Sequence, residues 1–161
     1  LDKETSGVMI IAKNYNSAKL LTSLFRLRKV HKTYLAICHG VFKNKKGEIR
    51  GNLIKYESEK KISELAITNF NVISSNNFFS FVELKPITGR KHQLRKQLSF
   101  MGNPIVGDVK YNIIKSKNKD QKKLMLHSYK IKFLINKKKF NFKAKLPDYF
   151  EDYLNKKRLI I

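Results

Sequence analysis

Cysteine is almost missing from this sequence: Cys38 is the only one in 161 residues. No internal disulfide can form, which suits a reducing compartment and makes a cytoplasmic location the expectation. Long apolar runs are missing as well. None approaches the roughly 20 residues that a helical bilayer crossing needs, so no segment reads as a membrane span. The first residues, Leu1-Asp2, are neither an initiator Met nor the opening of a recognisable signal or transit peptide. A piece of a longer protein is therefore expected. Acidic residues are scarce: 12 Asp and Glu stand against 35 Lys and Arg, for a net charge of +23.

What is present fits one globular domain. The length favours one domain over two, and 42% hydrophobic residues can supply a core without staples. A surplus of 23 positive charges repels itself unless a polyanion neutralises part of it. Nucleic acid is the leading partner on that ground, an anionic membrane surface the second, and Lys-rich codon usage the bland alternative. The charge is spread along the chain and not gathered on one basic amphipathic helix, which weakens the membrane reading.

Periodicity and punctuation give a coarse map. Residues 1–7 read as a polar loop and 8–11 as a short apolar strand. Asn14 or Asn16 can cap a helix running to about Leu27, with Leu20, Leu21, Leu24, Phe25 and Leu27 as its apolar stripe. Residues 31–39 look like a strand ended by Gly40, and 43–51 like a basic turn region. Strands near 65–73 and 78–85 flank a Ser-Ser-Asn-Asn turn. A helix starts near Lys91, with Leu94, Leu98 and Met101 on one face, and Gly102 and Pro104 end it. Residues 115–123 form a Lys-rich loop. Ile131, Phe133 and Ile135, then Phe140, Phe142 and Ala144, alternate as a hairpin, and a closing helix follows Pro147. Neither an internal repeat nor a linker is visible. The pattern is one mixed α+β domain.

Three segments could carry chemistry. In Leu1-Asp2-Lys3-Glu4-Thr5-Ser6-Gly7 a carboxylate sits in a hydroxyl-rich loop; from spacing alone a plain polar turn is the stronger reading. Tyr34, in Lys32-Thr33-Tyr34-Leu35-Ala36, reads by periodicity as core or interface filler. Thr88-Gly89-Arg90-Lys91-His92-Gln93-Leu94-Arg95 gathers cations at a helix start, which suits anion binding or a solvated basic face equally.

Taken together and in order, these segments resemble the RluA/RluC family of pseudouridine synthases. Leu1 to Gly7 is similar to the family's His-Arg-Leu-Asp-x-x-Thr-Ser-Gly loop from its third position onward. Lys32-x-Tyr34-x-Ala36 closed by Gly40 resembles the second motif. The Thr88–Arg95 run resembles the third, and Gly102-Asn103-Pro104-Ile105-Val106-Gly107-Asp108 the segment after it. Leu126-His127 and Leu146-Pro147 fall where the family has its late strand and closing Leu-Pro.

The resemblance implies an α+β catalytic domain with a mixed, mainly antiparallel β-sheet and flanking helices, filling residues 1–161 and lacking its N-terminal part and any S4 RNA-binding domain. It implies isomerisation of specific uridines in RNA, large-subunit ribosomal RNA first and transfer RNA as the alternative. The N1–C1′ bond breaks, the uracil turns while bound, and C5 bonds to C1′. No group or electron is lost, so no cofactor or metal is required. The resemblance makes Asp2 the catalytic carboxylate and Arg95 the cation that keeps it charged and oriented. Tyr34 becomes the ring that stacks on the flipped base. Lys3, Arg90, Lys91 and His92 become RNA-binding residues, His92 being better suited to phosphates or pocket structure than to proton transfer. The His-Arg pair expected before Leu1 is absent. A monomer is expected.

Two rivals remain. A non-catalytic basic RNA-binding module explains the charge but not the ordered Asp2, Tyr34 and Arg95. A metal site from His31, Cys38, His39, His92 and His127 has no zinc-type spacing except the adjacent Cys38-His39, and adjacent strand residues face opposite ways.

Overall fold

The computed structural model describes residues 1–112 and 123–159. Most of the Lys-rich loop expected at 115–123 lies outside them. Along the chain run β1 (Ser6–Gly7), α1 (Tyr15–Arg26), β2 (His31–His39), β3 (Lys46–Glu57), β4 (Lys60–Ser75), β5 (Phe79–Pro86), α2 (Gln93–Phe100), β6 (Leu126–Ile135), β7 (Lys138–Lys143) and α3 (Asp148–Lys156). The fold class is the expected one, α+β with a mostly antiparallel sheet.

Among the described residues the strands form one sheet in the order β1-β6-β2-β5-β4-β3, with β7 also pairing β6. Only the β1–β6 pair is parallel. Strand β2 lies at the centre, and its Leu35, Ala36, Ile37 and Cys38 are all buried, as a strand covered on both faces must be. Register sorts the two coverings. Tyr34 pairs with Leu84 and Phe70 with Leu84, and Thr68 on that same face bonds to Gln97 of α2. Ile37 pairs with Phe81, whose ring meets Phe150 of α3 edge-on at 6.2 Å. So α2 covers the Tyr34 face and α3 the opposite one. Helix α1 closes a smaller core with Leu24, Val30, Ile131 and Phe133.

Local chemistry accounts for the helix ends. Asn14 caps α1 by accepting the Ser17 N–H at 2.9 Å. Helix α3 follows Pro147, with Asp148 and Glu151 in its first turn, where they complement the dipole.

Several expectations are corrected. Residues 8–11 are not a strand: Ser6 and Gly7 do the pairing, while Val8 and Ile10 pack against the smaller core. Residues 46–51, read as turn, form the first half of β3, one arm of the long β3–β4 hairpin. Its solvated residues hide the period-2 signal, because most of β3 is exposed and only Leu53 is buried. Met101 is 40% exposed, unlike Leu94 and Leu98, because α2 ends at Phe100. On α1 only Leu24 is fully buried, and Leu20, Phe25 and Leu27 remain exposed.

Candidate active site

A cleft of about 230 Å³ opens on the Tyr34 face of the sheet. Four segments supply its walls: the N-terminal loop with Asp2 and Thr5, β2 with Lys32 and Tyr34, the turn into α2 with Thr88 to Arg95, and Leu126 at the start of β6. Phe25 of α1 also lines it, which gives this half-exposed aromatic a place at the cleft.

The N-terminal loop is fastened to β6. Ser6 and Gly7 pair with His127 and Ser128, and the Val8 N–H donates to the Ser128 carbonyl at 2.8 Å. Gly7 has φ +109°, and a Cβ there would overlap the Ser128 carbonyl, so only glycine fits. The Tyr149 hydroxyl donates to Ser6 Oγ at 3.1 Å, and Ser6 Oγ lies 2.9 Å from His127 Nδ1. With Tyr149 donating in, the Ser6 proton is directed to Nδ1, which leaves the ring proton on Nε2, facing the Ala144 carbonyl 3.5 Å away. A Thr5 N–H bond to the Asp2 carbonyl, 3.0 Å, then closes the turn that presents the Asp2 side chain.

The opposite wall is the start of α2, where a buried polar network replaces a side-chain cap. Thr88 Oγ1 donates to Gln93 Oε1 at 2.7 Å and accepts the Ile67 N–H at 2.8 Å; Gln93 Nε2 donates to the Ile67 carbonyl at 3.1 Å. Thr68 and Gln97 extend it at 2.7 Å. His92, in the left-handed conformation at φ 54°, turns the chain into the helix. This network fixes the direction in which the first turn of α2 sends Arg95 into the cleft.

Arg95 is 4% exposed and its partners are unequal. Nε and Nη2 donate to Asp108 at 2.7 and 2.8 Å, a bidentate pair, while Nη1 lies 3.2 Å from Glu4 and 3.7 Å from Asp2. Asp108 is therefore the principal partner, and Asp2 a longer-range one. Burial disfavours charge on Asp108, but the guanidinium and the Tyr111 and Lys110 N–H groups overcome it and hold the carboxyl below its ordinary range. The Asp108 bonds raise the Arg95 pKa in turn.

Asp2 stands between two cationic or titratable groups, 3.7 Å from Arg95 Nη1 on one oxygen and 3.7 Å from His92 Nε2 on the other. His92 Nδ1 is bonded to the Tyr111 hydroxyl at 2.7 Å. Desolvation, helped by Arg95, Lys110 and Lys91, lowers the His92 pKa against the pull of Asp2, so the ring is neutral at pH 7. Tyr34 lines the same cleft; burial first, and the Asp2 charge in addition, raise its pKa against a Ser128 hydrogen bond, which keeps it a neutral phenol. Lys32 reaches the Thr88 carbonyl at 3.4 Å, and its burial lowers its pKa. Thr5 Oγ1 is buried without a hydrogen-bond partner.

Asp2, Tyr34, Arg95, Arg90 and His92 thus come together around one cleft. Lys3 lines the adjoining depression with Glu4, Arg95 and Lys110. Lys91 is exposed at the start of α2. Arg90 is less available than expected: Nη1 pairs with Glu64 at 2.8 Å and Nε donates to the Leu65 carbonyl at 3.2 Å, tying the turn to β4. Sequence reasoning missed the roles of Asp108, Gln93, Lys32 and Tyr111. Asp108 closes the Gly102–Asp108 segment of the resemblance, and acids are scarce in this chain; those two signals could have singled it out. Among the described residues, no three His, Cys, Asp or Glu side chains are grouped as metal ligands, and no helix is long and apolar enough to cross a membrane.

Comparison with known proteins places this geometry. The family described as RNA pseudouridylate synthase matches residues 1–100. A ribosomal large subunit pseudouridine synthase C from Rickettsia felis is 42% identical over 168 residues, covering 94% of this chain and 53% of that protein. A ribosomal large subunit pseudouridine synthase D from Borreliella burgdorferi is 34% identical over 163 residues, covering 96% and 50%. The structure of human RNA Pseudouridylate Synthase Domain Containing 4 superposes with a TM-score of 0.84 at 31% identity, over 98% of this chain and 74% of that one. The chain spans about half the length of these bacterial relatives. By sequence match and by fold, it belongs to the RNA pseudouridylate synthase family.

Proposed function

We propose that residues 1–161 are the catalytic domain of an enzyme that isomerises uridine to pseudouridine in RNA. The observation that carries this reading is the convergence of Asp2, Tyr34 and Arg95, far apart in sequence, on one cleft. The large-subunit ribosomal RNA named for the bacterial relatives is the favoured substrate.

In this reading a uridine leaves its stack and enters the cleft. Tyr34 stacks on the base; such stacking is worth about 1–3 kcal/mol and offsets much of the few kcal/mol that flipping costs. Among the described residues the Asp2 carboxylate meets Arg95 and His92 only at 3.7 Å, so it is free to act on the nucleoside. Arg95 Nη1 stabilises it as RNA closes over the cleft and excludes water, and Asp108 keeps that guanidinium from swinging away. The N1–C1′ bond breaks, the uracil turns, C5 bonds to C1′, and the C5 proton leaves while N1 regains one. Thr5 Oγ1, buried and unpartnered, is available to a uracil carbonyl. Lys3, Lys91 and His92 would meet the phosphates flanking the uridine.

Incubating the full-length protein with ribosomal RNA and mapping pseudouridine tests the reading. Site-specific pseudouridine is expected. RNA binding with no pseudouridine in ribosomal or transfer RNA would make the protein a non-catalytic binder instead.

A further inference from the structure

On the sheet face opposite Tyr34 lies a second depression, a groove of about 620 Å³. Strand register explains its character. Lys130 pairs with Thr33 and Lys143, and Lys132 with His31 and Asn141, so these lysines project to one side. The alternating Ile131 and Phe133 pack under α1 on the other. Arg28 and Lys85 add two more cations. Glu83 is the one carboxylate among the groove's described lining residues, and Lys85 occupies it at 2.6 Å. Among the described residues no carboxylate pairs with Arg28, Lys130, Lys132 or Lys143.

Such a cluster opposes the folded state until an anion neutralises it. Lys132 first, with Lys143 and Lys139, holds Lys130 below the ordinary lysine range. Tyr129 lies in the same groove with the Lys143 ammonium 4.9 Å from its ring centroid. The groove also adjoins the catalytic cleft, because Lys32 and Pro86 line both.

We propose that this lysine groove is a second RNA-binding surface, which takes the phosphate backbone flanking the flipped uridine as the strand passes around the ends of β2 and β5. The proposal rests on the reading of the chain as an RNA-acting protein. It gives the two faces of the sheet separate tasks. The Tyr34 face holds one nucleotide, and the groove holds the backbone leading to it through charge and without base readout.

The test uses the full-length protein with Lys130, Lys132 and Lys143 all changed to Gln. Fluorescence anisotropy follows binding to two RNAs: a short hairpin that carries only the target loop, and a longer fragment with single-stranded flanks. Binding of the long RNA is expected to weaken about tenfold at physiological salt. Its log–log salt slope should become shallower by about 2, at roughly 0.7 per lost phosphate contact on single strands. Short-hairpin binding should hold. A triple Lys→Arg variant should bind like the wild type. A control with Lys43, Lys45 and Lys46 changed to Gln, in the β2–β3 connection and the first residue of β3 and outside the groove lining, removes the same charge and should bind almost normally.

Unchanged long-RNA binding by the Gln variant would overturn the proposal, as would an equal loss in the control, which would reduce the effect to net charge. Because binding is read directly, the two readings separate. A groove-dependent binder that forms no pseudouridine would refute the catalytic reading alone, and normal modification by a Gln variant of unaltered affinity would refute the groove alone.

Discussion

At Arg95 the two nearby aspartates have different tasks. Asp108 accepts two N–H groups at 2.7 and 2.8 Å, whereas Asp2 stands 3.7 Å from the third nitrogen. The close pair is structural and the distant one leaves a carboxylate uncommitted. Changing Asp108→Asn should therefore leave a buried guanidinium without its principal counter-charge and destabilise the fold by up to about 3–5 kcal/mol in denaturant unfolding. Asp2→Asn should shift stability by less than about 1 kcal/mol in the same measurement, because its carboxylate meets Arg95 and His92 only at 3.7 Å. A large destabilisation by Asp2→Asn would mean that its carboxylate is a structural anchor. The meeting of Asp2, Tyr34 and Arg95 at one cleft was legible because the ordered motifs resemble a family. The weight of Asp108 was not, because its pairing with Arg95 is made across 13 residues by tertiary contact and leaves no local pattern.

Among the elements, the two-residue β1 has the largest consequence for the site, since it clips the Asp2 loop to β6. Gly7→Ala places a Cβ into the Ser128 carbonyl at a φ that side chains avoid. Its expected effect is faster hydrogen exchange at the Val8 amide and a loss of turnover exceeding the loss of RNA affinity. His127 makes the same clip pH-sensitive. Burial lowers its pKa, so the unfolded chain takes up the proton first as pH falls. The stabilisation is present above the ordinary histidine pKa of about 6.5 and is lost as pH drops through the lower folded-state value. Melting temperature should fall between pH 7 and pH 5, and His127→Gln should flatten that dependence. Elements with strong alternation, such as β6 and β7, could be read directly from sequence. Strand β1 could not, because its identity comes from its partner, and β3 could not, because its side chains are mostly solvated.

For the whole molecule, the charge of +23 was the plainest signal in the sequence, and part of it gathers in the Asp2 cleft and in the lysine groove on opposite faces. RNA affinity should fall steeply with salt, with a log–log slope near −0.7 for each neutralised phosphate on single-stranded RNA. A flat response would make the charge incidental. What no charge count could supply is the meeting of three distant segments at one cavity, since that depends on the sheet order. The most direct test of that meeting is single-turnover pseudouridine formation by the full-length protein and its Asp2→Asn variant, with RNA affinity measured alongside. Modification that disappears in the variant while affinity stays within a few-fold of wild type is the predicted result; equal modification by both proteins would contradict it.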